Sequence, residues 1–457
     1  MGATRELVDF CSNLSYDDLP SGVIDKVKYL ALNFLGVAAG GSLVDSSGII
    51  YNIVKEIGLK PDGCVVIGTN FRASCQYAAL ANGTSSHSLE LDDFHSKASV
   101  HPAVVVFPAA LSASEFANCD GEKFIEGVVL GYEVMVRLGK AQNPGNPYAT
   151  GFYPTGICGV FGAAIAAAKI FNLNKEQMLN ALGIAGIQAS GIMEASIGWI
   201  YRLHTGWAAH NGVIAALLAR GGFTGPPTII EGAHGFLQCY SDSSDLGQVL
   251  AGLGDSYDIM QTSTKSYSCC RYEHGPIDCI LKIVKEHKLS ADEIDQVNCG
   301  VLKAGWDLVA EPIELKRNPR TVEDAMGSMP FGAAVAIIYG NSSADEYTQE
   351  NVDSFQVIEL MAKVSCFQDP ELERVFPERW PAKVEIVTKD GRRFSARIEY
   401  PKGDYINPLS WDELITKFNA LSLLIYSKDK RNEIIAQLKN LEHEKGMTNF
   451  STLLLRT

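Results

Sequence analysis

The sequence predicts a mainly α protein in which a small α+β domain, residues 264–402, is set between helical stretches 1–263 and 403–457. Three observations predict it. From residue 20 to about 260, apolar residues recur at intervals of three and four, the spacing of one helix face. Near residue 295 the period changes from helical to alternating, and the strands this marks are confined to about 265–400. From Ser410 to Leu455 the helical spacing returns. A chain of 457 residues also exceeds one core of ordinary size, so two domains are expected.

The first clear stripe is Val23, Val27, Leu30, Ala31, Phe34 and Leu35, opening after Pro20 and Ser21 and expected to end near Gly36. Asp120 is placed to cap a helix running through Ile125, Val128, Val129 and Tyr132, and Asn174 with Gln177 reads as a capping box. Residues 159–171, rich in Ala and Gly, read as a buried helix in close contact with its neighbours. Trp207, Ala208 and Gly212 suggest similarly tight packing. Val297, Cys299 and Val301 alternate as a strand, as do Val384, Ile386 and Thr388, and then Phe394, Ala396, Ile398 and Tyr400 beyond Asp390-Gly391. A two-residue Asp-Gly loop would put the last two apolar sets on opposite faces. A three-residue loop, Lys389 to Gly391 with a left-handed glycine, pairs Ile386 with Phe394 and Val384 with Ala396, and is therefore predicted.

Hydrophobic residues make up 46% and charged residues 20%, a globular composition. The net charge of −14 disfavours nucleic acid and anionic membranes as partners. Eleven scattered cysteines, an odd number, fit reduced intracellular thiols rather than a disulfide framework. The first twenty residues lack the features of a secretory or mitochondrial leader. The longest apolar runs, 100–113 and 160–170, are shorter than the roughly 20 residues of a membrane helix, so a cytoplasmic protein is expected.

Several chemistries lack their motifs. No Gly-rich phosphate loop, His-Glu-x-x-His, Cys-x-x-Cys or Gly-x-Ser-x-Gly elbow occurs, and the adjacent Cys269 and Cys270 are poorly spaced to chelate one metal. Three polar knots stand out instead. The first is His87, Glu90, Asp92, Asp93, His95, Lys97 and His101, just before the apolar run 103–110. These groups form either a site or a local arrangement in which Asp92 and Asp93 cap a helix or pair with Lys97. The second is Tyr201, Arg202, His204 and His210, where a buried arginine requires an internal or a substrate carboxylate. The third is Lys265, Tyr267, Arg271 and His274, where the chain is expected to pass from one domain to the other.

At these places the sequence resembles the MmgE/PrpD family, which includes cis-aconitate decarboxylases, 2-methylcitrate dehydratases and iminodisuccinate epimerase. The most specific pieces are His87 to Asp93 with His101-Pro102, Arg202 to Gly212, Gly222 to Pro226, and Cys270 to Pro276. The segments 90–96 and 251–254 are most similar to the cis-aconitate decarboxylase branch. The resemblance implies a large all-helical domain made from both chain ends, a smaller α+β lid domain, a homodimer, a small carboxylate or carbonyl substrate, and neither metal nor organic cofactor. It implies catalytic roles for His101 and Lys265, with Glu90 at an acidic position. It also marks departures: Tyr153 and Tyr201 stand where a second histidine and a second lysine are usual, and Phe331 where a tyrosine is usual.

Proton abstraction beside a carboxylate or carbonyl needs a base near neutral and fixed donors for the developing enolate. His101 is the expected base, Lys265 and Arg202 the expected carboxylate-holding cations, and Tyr153 and Tyr201 the hydrogen-bond donors or acid. Phe94, Glu90, His204, His274 and Phe331 are expected to line the substrate. Two tyrosines in place of two cationic groups predict a substrate less anionic than cis-aconitate. Three readings follow: a lyase eliminating water or carbon dioxide, an isomerase, epimerase or cyclase using the same enolate, and a binding protein that has lost turnover.

Overall fold

The computed structural model describes residues 2–143, 147, 149–196, 198–376 and 379–456. The protein is mainly α with small sheets. Its backbone divides into two compact units: residues 1–88, 92–262 and 410–457 form the first, and residues 89–91 and 263–409 the second.

In the first unit, α1 (Ala3–Asn13) is followed by the long α2 (Ser21–Gly41) and α3 (Asp45–Gly58). The helix that opens at Ser21 does not stop near Gly36, as its spacing predicts, but runs on to Gly41. Gly36 serves instead as a point of close approach, since a β-carbon there would lie 3.2 Å from the Cα of Phe418 in the C-terminal helix Trp411–Leu421. A ribbon of β1 (Leu59–Val65) and β2 (Arg72–Ala73) follows. These strands fall outside the stretch where alternation predicts them, because most of β1 is exposed and carries no apolar period.

The helices α4 (Cys75–Ser86), α5 (Ala103–Ala117), α6 (Gly121–Ala141), α7 (Pro154–Ile170), α8 (Lys175–Gly186) and α9 (Ile200–Arg220) build the body of this unit. Asp120 caps α6 by accepting the Lys123 N–H at 2.9 Å, and Asn174 and Gln177 form the predicted capping box of α8. Every residue of α7 is buried, as its Ala- and Gly-rich composition predicts. α9 packs against α4, α5, α7 and α8. Gly206 seats it on α4: a β-carbon there would come within 2.4 Å of the Leu80 carbonyl oxygen. Trp207, expected to be packed, is 45% exposed and stacks on His210 with ring centroids 5.1 Å apart.

The second unit holds α10 (Arg271–His287), α11 (Met329–Tyr339) and a four-stranded sheet. Its strands are β3 (Ile294–Val301), β4 (Val364–Gln368), β5 (Ala382–Thr388) and β6 (Arg393–Ile398), in the order β4-β3-β5-β6. The pairing of β3 with β4 is parallel and the other two are antiparallel. The hairpin has the predicted register, Ile386 opposite Phe394 and Val384 opposite Ala396, and Gly391 is left-handed with φ 85°. Val297, Cys299, Val301, Val384 and Ile386 enter the unit's core with Ile277, Ile280 and Ile283 of α10. After the second unit, α12 (Trp411–Leu421) and α13 (Lys428–Lys439) return the chain to the first.

No single described helix is long and apolar enough to cross a membrane; α2 and α3 meet that measure only as a pair bent by 89°.

Candidate functional site

The polar segment between α4 and α5 is buried, which is unusual for so many titratable groups. His87, Asp92, Asp93, His95 and His101 are each at most 7% exposed. Two neighbouring carboxylates divide the work. Asp93 organises the backbone: it accepts the Ala103 N–H at 2.8 Å at the start of α5 and the Tyr132 hydroxyl at 2.6 Å. Of the alternatives open to this pair, helix capping is thus the role of Asp93. His95 accepts the Ala98 N–H through Nδ1, closing the intervening turn.

Asp92 faces two imidazoles. Its Oδ2 lies 2.6 Å from His101 Nδ1 and its Oδ1 lies 3.3 Å from His87 Nδ1. The His101 backbone is fixed by donation to Thr155 Oγ1 at 3.1 Å, so the ring is held from both ends. From His87 the contacts continue into the second polar knot. His87 Nε2 is 3.4 Å from Tyr153 Oη, which donates to Tyr201 Oη at 2.8 Å. The result is a buried line of groups, His101, Asp92, His87, Tyr153, Tyr201, drawn from three separate segments. The hydroxyls of Tyr153 and Tyr201 can each donate or accept, whereas Asp92 and His87 meet at an ion-pair distance.

Aromatic rings wall this line. Phe94 and His87 each stand 5.0 Å from His101, and His204 stands 5.3 Å from Tyr153, centroid to centroid. Burial holds the His204 imidazole below its ordinary value, against a hydrogen bond to the Ala195 backbone, and nearby His87 adds to the lowering. His204 Nε2 has no hydrogen-bond partner among the described residues. Arg202 takes another direction and donates to Ser46 Oγ of α3 at 2.8 Å.

In the second unit, Lys265 is almost fully buried and its Nζ meets Glu90 Oε2 at 2.6 Å. Glu90 sits on the short segment 89–91 with a left-handed φ of 53°, a conformation that costs a non-glycine residue about 1–2 kcal/mol. That segment is held by Ser268 Oγ, which donates to the Leu89 carbonyl. His274, within α10, is fully buried, its ring edge-on to Tyr267 at 5.2 Å and its Nε2 3.4 Å from the Cys269 carbonyl. Phe331 is a core residue of α11 against Tyr347, with centroids 5.2 Å apart.

His87, Asp92 and His101 also form a group of potential metal ligands within 4.8 Å of one another. Their spacing fits a hydrogen bond better than an ion. A tetrahedral zinc with bonds of about 2.0–2.2 Å sets its ligand atoms about 3.3–3.6 Å apart. The 2.6 Å from His101 Nδ1 to Asp92 Oδ2 is too short for two ligands of one ion and is the distance of a charge-assisted hydrogen bond.

Burial pushes the Asp93 carboxyl from 3.8 up to about 7, against the lowering effect of its Tyr132 and Ala103 hydrogen bonds. Between those two values the folded chain keeps a proton that the unfolded chain has released. Stability from this group therefore falls as pH rises through that window and levels off above it. Glu115, also pushed by burial up to about 7, adds to the same fall. Asp93→Asn, which keeps an acceptor for the Ala103 N–H, is expected to flatten the decline in Tm across this window. A pH scan of thermal unfolding with an unchanged slope would refute that assignment.

Sequence spacing anticipates five members of the first-unit group: Phe94, His101, Tyr153, Tyr201 and His204. It includes His87 and Asp92 in the polar knot but gives them no role in the site. The available signal was the His87-x4-Asp92 spacing, which cannot reveal that both carboxylate oxygens face imidazoles.

Comparison with known proteins agrees over the whole length. The MmgE/PrpD N-terminal domain model matches residues 5–249 and the MmgE/PrpD C-terminal domain model matches residues 267–442. The chain is 28% identical over 480 residues to the cis-aconitate decarboxylase of Aspergillus terreus, covering 99% of this chain and 95% of that protein. It is 26% identical over 463 residues to the cis-aconitate decarboxylase of Homo sapiens, covering 99% and 94%. The corresponding Mus musculus protein is 25% identical over 466 residues, with 99% and 93% covered. With both domain models matched in order, and His101 and its buried partners lying within the first, the chain belongs to the MmgE/PrpD family.

Proposed function

We propose that this chain is a lyase that works by proton transfer beside the carboxylate or carbonyl of a small organic acid, using neither metal nor organic cofactor. The observation that carries this reading is the buried Asp92 carboxylate shared by His101 and His87. An imidazole whose Nδ1–H is held by a carboxylate presents Nε2 as the base and is stabilised when it takes a proton. His101 would remove the proton next to the carbonyl, and the C–H electron pair would move onto oxygen as an enolate. Collapse of that enolate breaks the bond to a β-hydroxyl, which takes a proton from the protonated His101 or a tyrosine hydroxyl and leaves as water; in a decarboxylation the same groups deliver a proton to the carbon that carbon dioxide leaves.

Lys265 is the cation assigned to the substrate carboxylate, which would replace Glu90 at the ammonium. Tyr153 and Tyr201 supply hydroxyls where the family resemblance leads one to expect two cationic groups. We therefore propose a mono- or dicarboxylate, less anionic than the cis-aconitate named for the relatives. An isomerase is the second reading, favoured by the line from His101 to Tyr201, whose two ends can take and return a proton at different places.

Incubation of the purified chain with carboxylic acids in deuterium oxide, followed by NMR, is expected to show deuterium uptake at the carbon beside the carboxylate. Rapid carbon dioxide release from cis-aconitate would refute the proposed charge preference. Absence of exchange and turnover across the panel would favour a binding protein. The odd, scattered set of cysteines supports a reducing, cytoplasmic setting for the reaction.

We also propose a homodimer. Ile49, Ile53 and Ile57 line one exposed face of α3, and the apolar surface continues through Tyr77 and His210 to the exposed Trp207. Contiguous exposed apolar side chains mark interaction surfaces. Sedimentation of the intact chain is expected to give twice 49.5 kDa, with Ile53→Glu shifting it toward the monomer. A wild-type monomer at micromolar concentration would exclude the dimer.

A further inference from the structure

We propose that the loop 402–405 is a splint that fixes Lys265, with Gly403 and Asp404 as positioning residues for the reaction proposed above; the inference rests on the assignment of that lysine to the substrate. At rest the Lys265 ammonium meets Glu90. A substrate carboxylate that takes the place of Glu90 ends that contact, so the hold that lasts through turnover has to come from elsewhere. Regular structure does not supply it, since residues 265–270 form neither helix nor strand.

The loop supports the lysine from both sides. Before it, the Thr264 N–H donates to Gly403 O at 2.8 Å and the Tyr405 N–H donates to Ser263 Oγ at 3.1 Å. After it, the Ser266 hydroxyl donates to Lys402 O at 2.9 Å. The approach between them is close. Gly403 is left-handed, with φ 86°, and a β-carbon on it would collide with the Thr264 carbonyl and lie 2.8 Å from Ser266 Oγ.

The loop is in turn fastened to α10. Arg271 and Asp278 stand about two turns apart on this helix and so share one face. Arg271 Nη2 donates to Asp404 Oδ2 at 2.9 Å, and both residues are buried. The other Asp404 oxygen accepts the Ile406 N–H at 3.0 Å, so the same carboxylate shapes the loop and anchors it. Asp278 accepts the Lys402 N–H at 2.6 Å through Oδ2 and the Tyr267 hydroxyl through Oδ1. One helix face thus fixes the loop and the lysine segment together. Such a frame matters because a displacement of about 1 Å at a reacting group can cost about 10²-fold in rate.

The test uses the intact chain with its lysines labelled with carbon-13 at Cε, the Lys265 signal being the one absent from Lys265→Met. A side chain fixed in one rotamer gives two inequivalent Hε protons, and a mobile one gives a single averaged signal. The wild type is expected to show two. Gly403→Ala, which pushes the loop off Thr264 without altering any charge, is expected to show one, and so is Asp404→Asn, which acts from the other end of the clamp. With a substrate in hand, Gly403→Ala is expected to lower kcat/KM about tenfold and to have no further effect in the Lys265→Met background. An averaged signal in the wild type, or inequivalent Lys265 protons in a folded Gly403→Ala, overturns the proposal. So does an equal loss of kcat/KM in both backgrounds, which a general weakening of the fold would give. Should Gly403→Ala fail to fold, Ser266→Ala, which removes one hydrogen bond and no charge, decides by the same readings. The expected change of signal in a chain that turns over no carboxylic acid keeps the splint and sinks the lyase reading alone.

Discussion

If His101 is the proposed base, His101→Ala is expected to lower proton exchange and turnover by about 10²–10⁴-fold, and the melting temperature falls too because the buried Asp92 carboxylate loses this partner. Asp92→Asn is expected to approach the same loss by a different route. The asparagine amide can donate to His101 Nδ1, which moves the imidazole proton to Nε2 and blocks the lone pair that takes the substrate proton. Because both changes disable one unit, the double variant should fall little below the worse single variant. Exchange monitored by NMR decides the matter. A His101→Ala protein that folds and retains wild-type exchange would remove the base from the mechanism, and additive losses would mean that Asp92 does not act through the ring.

Lys265→Met is expected to have the second-largest effect, a fall in kcat/KM of about 10²–10³-fold, the scale of losing one fixed donor to developing charge. Stability should suffer less than for most buried ion pairs. Glu90, left without its ammonium, keeps 17% of its side-chain surface exposed and can be hydrated. Glu90→Gln should act oppositely on KM, since a substrate carboxylate no longer has to displace an internal one. Steady-state kinetics of the two variants provide the check, and unchanged kcat/KM in Lys265→Met would sink the assignment of this lysine to the substrate.

Legibility followed the physics of each segment. The hairpin after β5 could be read to the residue because alternation must keep apolar side chains on one face, and only a three-residue loop with left-handed Gly391 satisfies that. The caps at Asp120 and Asn174 were legible for a similar reason, as each is a local bargain between a side chain and the next turn of backbone. β4 escaped detection because, as an edge strand, it buries only Val364 fully and shows no sustained alternation. Gly36 misled because a glycine that ends a helix and one that admits a neighbouring helix are identical in sequence.

The site divides along the same line. Spacing draws attention to the segment 87–101, since so many ionisable groups beside an apolar run need partners. It cannot separate Asp92 from Asp93. Neighbouring side chains leave an irregular segment in directions set by its backbone, and only there does one carboxylate turn to the helix and the other to the imidazoles. Arg202 is a further case. Its burial is legible from composition, whereas the Ser46 hydroxyl that receives it comes from α3, more than 150 residues earlier.

The tyrosine at position 201 rides on a helix that approaches α4 at Gly206 too closely to admit a β-carbon, which would meet the Leu80 carbonyl and the Thr84 hydroxyl. In the function proposed above, the Tyr201 phenol is thus carried by a helix with little room to shift against its neighbour. Ligands would be sorted by whether their outline suits a fixed aromatic wall, and a poor fit would be rejected rather than accommodated.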